Sequence, residues 1–202
     1  MIFIRKSSEN EMVSEFLSGE YRSKRFSDDI KASMKKLGVS ERVITAPDLA
    51  SDCENAMRKR VLGDFRGYDE DRGLFENFPI VTDWRLYRFE QGDLKRIFYI
   101  DYSYWNELSA GTRSPLTAAE NIRKGKTVYG VPNDGFIAAA EHLKSGGKLP
   151  RTILITADLE RFVIVEGHQR LTAYAMLTEK LAGAECIVGA CSADEMKRWG
   201  KI

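Results

Sequence analysis

Apolar positions along the first 75 or so residues recur at helical spacing. Met12, Val13, Phe16 and Leu17 fall at i, i+1, i+4 and i+5, so residues 10–17 read as a helix with one buried face. Ser27 suits the cap of a helix over 28–37 that turns Ile30, Met34 and Leu37 inward, with Gly38 just past its end. Pro47 or Asp48 opens a further helix whose apolar stripe is Leu49, Cys53, Ala56, Met57 and Val61, and Arg66-Gly67-Tyr68 marks a helix end. The run KKLGVSERV (35–43) has the look of a helix-turn-helix turn. Pro47 falls where a recognition helix would continue, which argues against one.

The pattern changes at Pro79. Residues 80–89 and 96–102 are rich in Ile, Val, Phe and Tyr and read as strands, with the turn signal Gln91-Gly92-Asp93 between them. Residues 116–123 and 136–143 read as short helices. TILIT (152–156) and FVIV (162–165) are the strongest strand signals, and residues 158–161 suit a tight hairpin between them. After Gly167 the period becomes helical again, through Leu171, Tyr174, Ala175, Thr178 and Leu181, and residues 186–189 suit a last strand. The expected fold class is therefore α+β: a helical N-terminal region over 1–78 and a mixed α/β core over 79–202.

Composition narrows the function classes. Thirty-one Lys and Arg against 30 Asp and Glu give a net charge of +1, without the strongly basic balance of a protein that coats nucleic acid. Cys53, Cys186 and Cys191 show no C-x-x-C spacing, which argues against a disulfide scaffold or a cysteine zinc site. The start MIFIRKSSENEM is too short in apolar residues for a signal-peptide core, and no apolar run approaches the ~20 residues that span a bilayer. The expectation is a cytoplasmic protein without a membrane partner.

The stretch FVIVEGHQRLTAYAML (162–177) carries the candidate chemistry. It reads as strand, glycine and first helical turn, and a helix start offers unpaired amides and a positive dipole end to an anion. Gly167 lets backbone approach a phosphate, and Arg170 brings a planar fork of donors one turn in. Gly167, His168, Gln169 and Arg170 are the candidate ligand-binding positions. Glu166 and His168 are the candidate catalytic pair, able to polarise a water, hold a metal or contact a sugar hydroxyl. The bland alternative pairs Arg170 with Glu166 and leaves His168 as a helix cap.

This stretch resembles the ParB/sulfiredoxin superfamily, whose signature is a strand followed by Gly-x-x-Arg opening a helix. Gly167 and Arg170 match those positions, and AAEHLKSGGKLPRTILI (139–155) is similar to the helix, glycine turn, proline and strand that precede the signature. The resemblance covers about residues 136–181, thins back to residue 80, and leaves the first 75 residues unmatched. It implies a ParB/sulfiredoxin-like mixed-sheet core that binds nucleotide phosphates, with Mg2+ accompanying a nucleoside triphosphate. His168 stands where sulfiredoxins carry their cysteine, so thiol-based sulfinic acid reduction is not implied. The Glu-Asn-x-x-Arg motif of partition proteins is not found downstream; Glu120-Asn121 lies upstream, with Lys124 at the arginine position. Too few residues follow Arg170 for the helix-turn-helix module of those proteins, so a divergent member is expected.

A second cluster, YIDYSYWNELSAGTRS (99–114), places Tyr102, Tyr104 and Trp105 where they could stack on a base. Its end brings Thr112, Arg113 and Ser114 within reach of a phosphate, with Arg113 suited to an anion clamp. The alternative is that the aromatics fill the core. Three functions follow as expectations: a nucleotide-binding protein acting as a Mg2+-dependent hydrolase or a nucleotide switch; a metal-dependent nuclease or DNA-associated ParB-like protein; and a non-enzymatic module. A protein partner or a homodimer would dock through the N-terminal region.

Overall fold

The structure is a computed structural model, and it describes residues 1–23 and 25–202. The chain divides into two compact units, residues 7–79 and residues 1–6 with 80–202.

The smaller unit is helical: α1 (Glu9–Tyr21), α2 (Ser27–Leu37), α3 (Arg42–Thr45) and α4 (Asp52–Arg66). Ser8 caps α1 by accepting from the Glu11 amide at 3.2 Å. Ser27 is the first residue of α2 rather than its cap, and Gly38 ends that helix at φ 68°. The helix foreseen from Pro47 begins later, at Asp52 under a Ser51 cap, and its buried face keeps only Val61 of the expected stripe fully buried. Leu49, Cys53 and Ala56 are exposed, whereas Glu54, Asn55, Arg58, Val61 and Leu62 are buried. The cause is Arg58, whose residue is 0% exposed. Its guanidinium donates to the Val43 carbonyl at 3.0 Å, the Asp48 carbonyl at 2.9 Å and the Asn55 side chain, and pairs with Glu54. A buried charge is tolerable when its donors are met in this way. Apolar counting therefore finds Val61 on the buried face of α4 but misses the polar residues that share it.

The larger unit is built on one six-stranded sheet: β1 (Ile2–Lys6), β2 (Asp83–Arg88), β3 (Ile97–Phe98), β4 (Thr152–Thr156), β5 (Phe162–Glu166) and β6 (Glu185–Ala190). The order is β1-β2-β6-β4-β5-β3, mixed in direction. With it go α5 (Ser103–Leu108), α6 (Pro115–Arg123), α7 (Asp134–Lys144), α8 (His168–Met176) and α9 (Ala193–Trp199). The architecture is mixed α and β, as the sequence pattern implies. β4, β5 and β6 are almost wholly buried, which is why they read as continuous apolar runs. Leu154, Ile164 and Val188 pack with Phe136, Leu143, Leu171 and Tyr174 in one core beneath α6, α7 and α8.

Several elements differ from the sequence reading. The first residues form β1, which pairs antiparallel with β2 and so belongs with the sheet rather than with the helices. The Gln91–Asp93 turn does not make a hairpin: β2 pairs with β1 and β6, whereas β3 runs parallel to β5 at the far edge. β3 is two residues long because Tyr99 leaves the sheet and donates its amide to the Arg113 carbonyl at 2.7 Å. α8 stops at Met176, where Leu177 turns to φ −141° and ψ 68°, instead of running to Leu181. α9 is additional; its signal is the Ser192-x-x-Glu195 capping box.

The expected β4–β5 hairpin is present, closed by a five-residue loop. Asp158 Oδ1 accepts from the Glu160 and Arg161 amides at 2.9 Å each. Thr156 Oγ1 accepts from the Leu159 amide at 2.9 Å and donates to the Arg161 carbonyl at 2.7 Å.

Two measurements probe these features. Arg58→Ala removes the donor to the buried Val43 carbonyl, the part-buried Asp48 carbonyl and one side of Glu54, so unfolding followed by far-UV circular dichroism should show a loss of about 3–5 kcal/mol. The Arg161 amide is the largest influence holding the Asp158 carboxyl below its usual range; partial burial opposes it, and the Glu160 amide and Arg161 side chain add to it. A depressed folded value means stabilisation that is complete above the ordinary carboxylate pKa of about 3.9 and lost as pH falls through the folded value. The stability advantage of wild type over Asp158→Asn should therefore shrink towards zero in denaturant titrations carried from pH 7 to below pH 3.

Candidate functional site

β5 ends at Glu166 and α8 begins at His168, so the direction of the chain reverses at Gly167. Gly167 has φ 102° and ψ 21°, outside the range open to most side chains. A Cβ there would come within 2.5 Å of Thr152 Cγ2 and 2.9 Å of Thr152 Cβ. Glycine is thus required twice, by conformation and by the close passage over the start of β4. Being glycine, it offers α8 no side-chain cap. The first main-chain bond of the helix runs from the Leu171 amide to the Gly167 carbonyl at 2.9 Å.

The structure brings Glu166, Gly167 and Arg170 into one hydrogen-bonded corner. One Glu166 oxygen, Oε2, accepts the Gly167 amide, while Oε1 accepts from Arg170 Nη2 across a single helical turn. Arg170 Nη1 donates to the Arg151 carbonyl. Both side chains of the pair are mostly buried, 13% and 15% exposed. This is the arrangement the bland reading anticipated. Both Glu166 oxygens are thus engaged within the corner.

His168 does not join Glu166 in those bonds. Its ring stacks on Trp105 with centroids 4.8 Å apart and planes 16° apart, and lies 5.9 Å from Tyr99. Trp105 stacks in turn on Tyr99 at 4.6 Å. The wholly buried Tyr99 hydroxyl shares a 2.6 Å hydrogen bond with Thr172, which donates to the His168 carbonyl at 2.7 Å. Burial pushes the Tyr99 phenol well above its ordinary range, with the Thr172 contact opposing. Gln169 is exposed and donates to the Gly135 carbonyl at 2.6 Å, tying α8 to the start of α7. Tyr104 and Trp105 pack against the core, as the alternative for the aromatics anticipates, while Tyr102 is 42% exposed.

Arg113 and Ser114 stand apart from this corner in function. Arg113 donates to the Tyr99 carbonyl at 2.8 and 2.6 Å, the Gly200 carbonyl at 2.7 Å and the Lys201 carbonyl at 3.2 Å. Loss of solvent lowers its guanidinium below the ordinary value, and Asp101 opposes that. Ser114 caps α6 by accepting from the Leu116 amide at 3.3 Å. In place of the expected anion, the Arg113 guanidinium meets three main-chain carbonyls and so fastens main chain to main chain. Tyr99, Thr172 and Thr152 are the residues of the site that sequence reasoning passed over. Tyr99 sits in a strand-like run, and nothing in the local pattern marks its ring as the link between the two clusters.

Among the described residues, no group of three or more His, Cys, Asp or Glu is arranged to hold a metal ion. No described helix is long and apolar enough to cross a membrane. No family model matches the chain, and no curated protein or solved structure matches it.

The geometry of the corner gives a direct test. Gly167→Ala forces a side chain into the left-handed region, at about 1–2 kcal/mol, and against Thr152, at about 1–3 kcal/mol more. Thermal unfolding followed by tryptophan fluorescence should show that combined loss, and Thr152→Ala in the same chain should recover part of it.

Proposed function

We propose that the larger unit is a divergent ParB/sulfiredoxin-like domain that binds nucleotide phosphates at the β5–α8 corner. The observation that carries this reading is a nine-residue helix that opens on Gly167 without a capping side chain, with an arginine guanidinium in its first turn. Such a turn presents backbone amides and a positive dipole end to an anion. Arg170 would neutralise phosphate charge, and Gln169, tied to α7, would steady the approach. A Mg2+ ion accompanying a nucleoside triphosphate needs few protein ligands. Both Glu166 oxygens are engaged within the corner, so such an ion would be held by the phosphates and water. When bound, Mg2+ would supply charge neutralisation at the phosphates.

Of the two nucleotide readings, the switch fits better than the hydrolase. A hydrolase needs a side chain free to orient water, whereas Glu166 is engaged on both oxygens and His168 lies in an aromatic stack. Nuclease activity, nucleic-acid contact and a partner for the helical unit have no specific observation in their favour.

Calorimetry with ATP, CTP, GTP and UTP, with and without Mg2+, tests the reading. Arg170→Ala, once shown to be folded, should bind roughly 10- to 150-fold more weakly, as expected for loss of a charge-assisted contact worth ~1.5–3 kcal/mol. Failure of folded wild-type protein to bind any of the four would overturn it.

A further inference from the structure

The two edges of the sheet are unlike. At one, β3 is two residues long, and Tyr99 then leaves the sheet to donate its amide to the Arg113 carbonyl. At the other stands β1, five residues paired with β2 on one side, and no described strand lies beyond it. An open strand edge offers its main-chain donors and acceptors to any chain that can pair with them.

The side chains of β1 say what kind of chain that is. Ile2 and Phe3 are each 52% exposed, far more than an apolar pair gains from facing water. The register against β2 shifts between Phe3 and Arg5, which divides the strand into an apolar half and a basic half. Lys6 is exposed, and among the described residues its ammonium has no hydrogen-bond or ion-pair partner. Beside the apolar half lies Glu90, whose side chain is 57% exposed and accepts from the Met1 amine at 2.8 Å.

A strand with an acid at its apolar end and a lysine at the other is complementary to its own reverse. Paired antiparallel, the Lys6 ammonium reaches the partner's Glu90, and its aliphatic stem lies beside the partner's Ile2. Paired parallel, Lys6 would face Lys6, which is unfavourable. We propose that β1 is a dimerisation edge, on which a second copy of this chain pairs antiparallel about a two-fold axis. Main-chain bonds join the two sheets into one, and the Lys6–Glu90 contacts, made twice by symmetry, set the direction. A five-residue edge is small against the ~1,200–2,000 Å2 of stable interfaces, so the dimer is weak and reversible. The pairing is independent of any ligand at the β5–α8 corner.

Sedimentation velocity of the whole chain, from about 5 to 500 µM, tests it, and wild type should pass from monomer to dimer over that range. Lys6→Glu sets two acids against each other at both ends and should dimerise about tenfold more weakly. Adding Glu90→Lys to it restores opposite charges and should recover dimerisation to within about threefold of wild type. Monomer throughout, a dimer that Lys6→Glu leaves unchanged, or no recovery in the folded double variant overturns the proposal. Should either variant lose its fold by circular dichroism, wild-type NMR decides: on dilution the amides of residues 2–6 must shift while those of β3 stay. Shifts elsewhere without β1 overturn the pairing. A wild type that stays monomeric yet shifts at residues 2–6 with an alternating Glu-Val peptide gives the edge to a peptide partner and likewise overturns it.

Discussion

The larger unit depends on the close passage of the chain at Gly167 over Thr152. β4 and β5 are adjacent and antiparallel, and the chain must leave β5 and start a helix without colliding with the first residue of β4. Only a residue without a Cβ makes that passage at φ 102°. The turn aims α8 across the sheet, where Leu171 and Tyr174 join Leu154, Ile164 and Val188 in the core. It also brings Glu166 and Arg170 together one helical turn apart, so the same constraint that folds the unit assembles its candidate site.

Arginine has a comparable structural part elsewhere. Arg58 and Arg113 both direct a rigid fork of donors at carbonyls that no regular element satisfies. Each gathers carbonyls from separate parts of the chain, and an unpaired carbonyl out of reach of water costs about as much as a lost hydrogen bond. Arg170 has one such contact, to the Arg151 carbonyl, but its other arm meets a carboxylate. A carboxylate can be exchanged for another anion, whereas a backbone carbonyl cannot, and that chemistry separates a candidate ligand site from internal fastening.

Much of the fold was legible along the chain. TILIT and FVIV announce buried strands because β-branched runs of that length suit a doubly covered sheet, and the strand–glycine–helix order locates the corner. The exposed side of α4 was not legible, because Arg58 is buried by partners at Val43 and Asp48, outside its helix. The short β3 and its distance from β2 were not legible either. Turn residues mark where a chain bends and leave open which strand receives it.

The sequence by itself determined local matters: the buried strands at 152–156 and 162–165, the turn at Gly167, and the nearness of Glu166 and Arg170 across that turn. Periodicity and turn chemistry act over a few residues, so they are written in neighbouring positions. Tertiary structure decided which polar groups meet. It buried Arg58, assigned Arg113 to main-chain carbonyls, stacked His168 on Trp105 and left the buried Thr152 hydroxyl without a partner. Those outcomes depend on contacts between residues far apart in the chain, and desolvation there, rather than residue type, sets what each group can do.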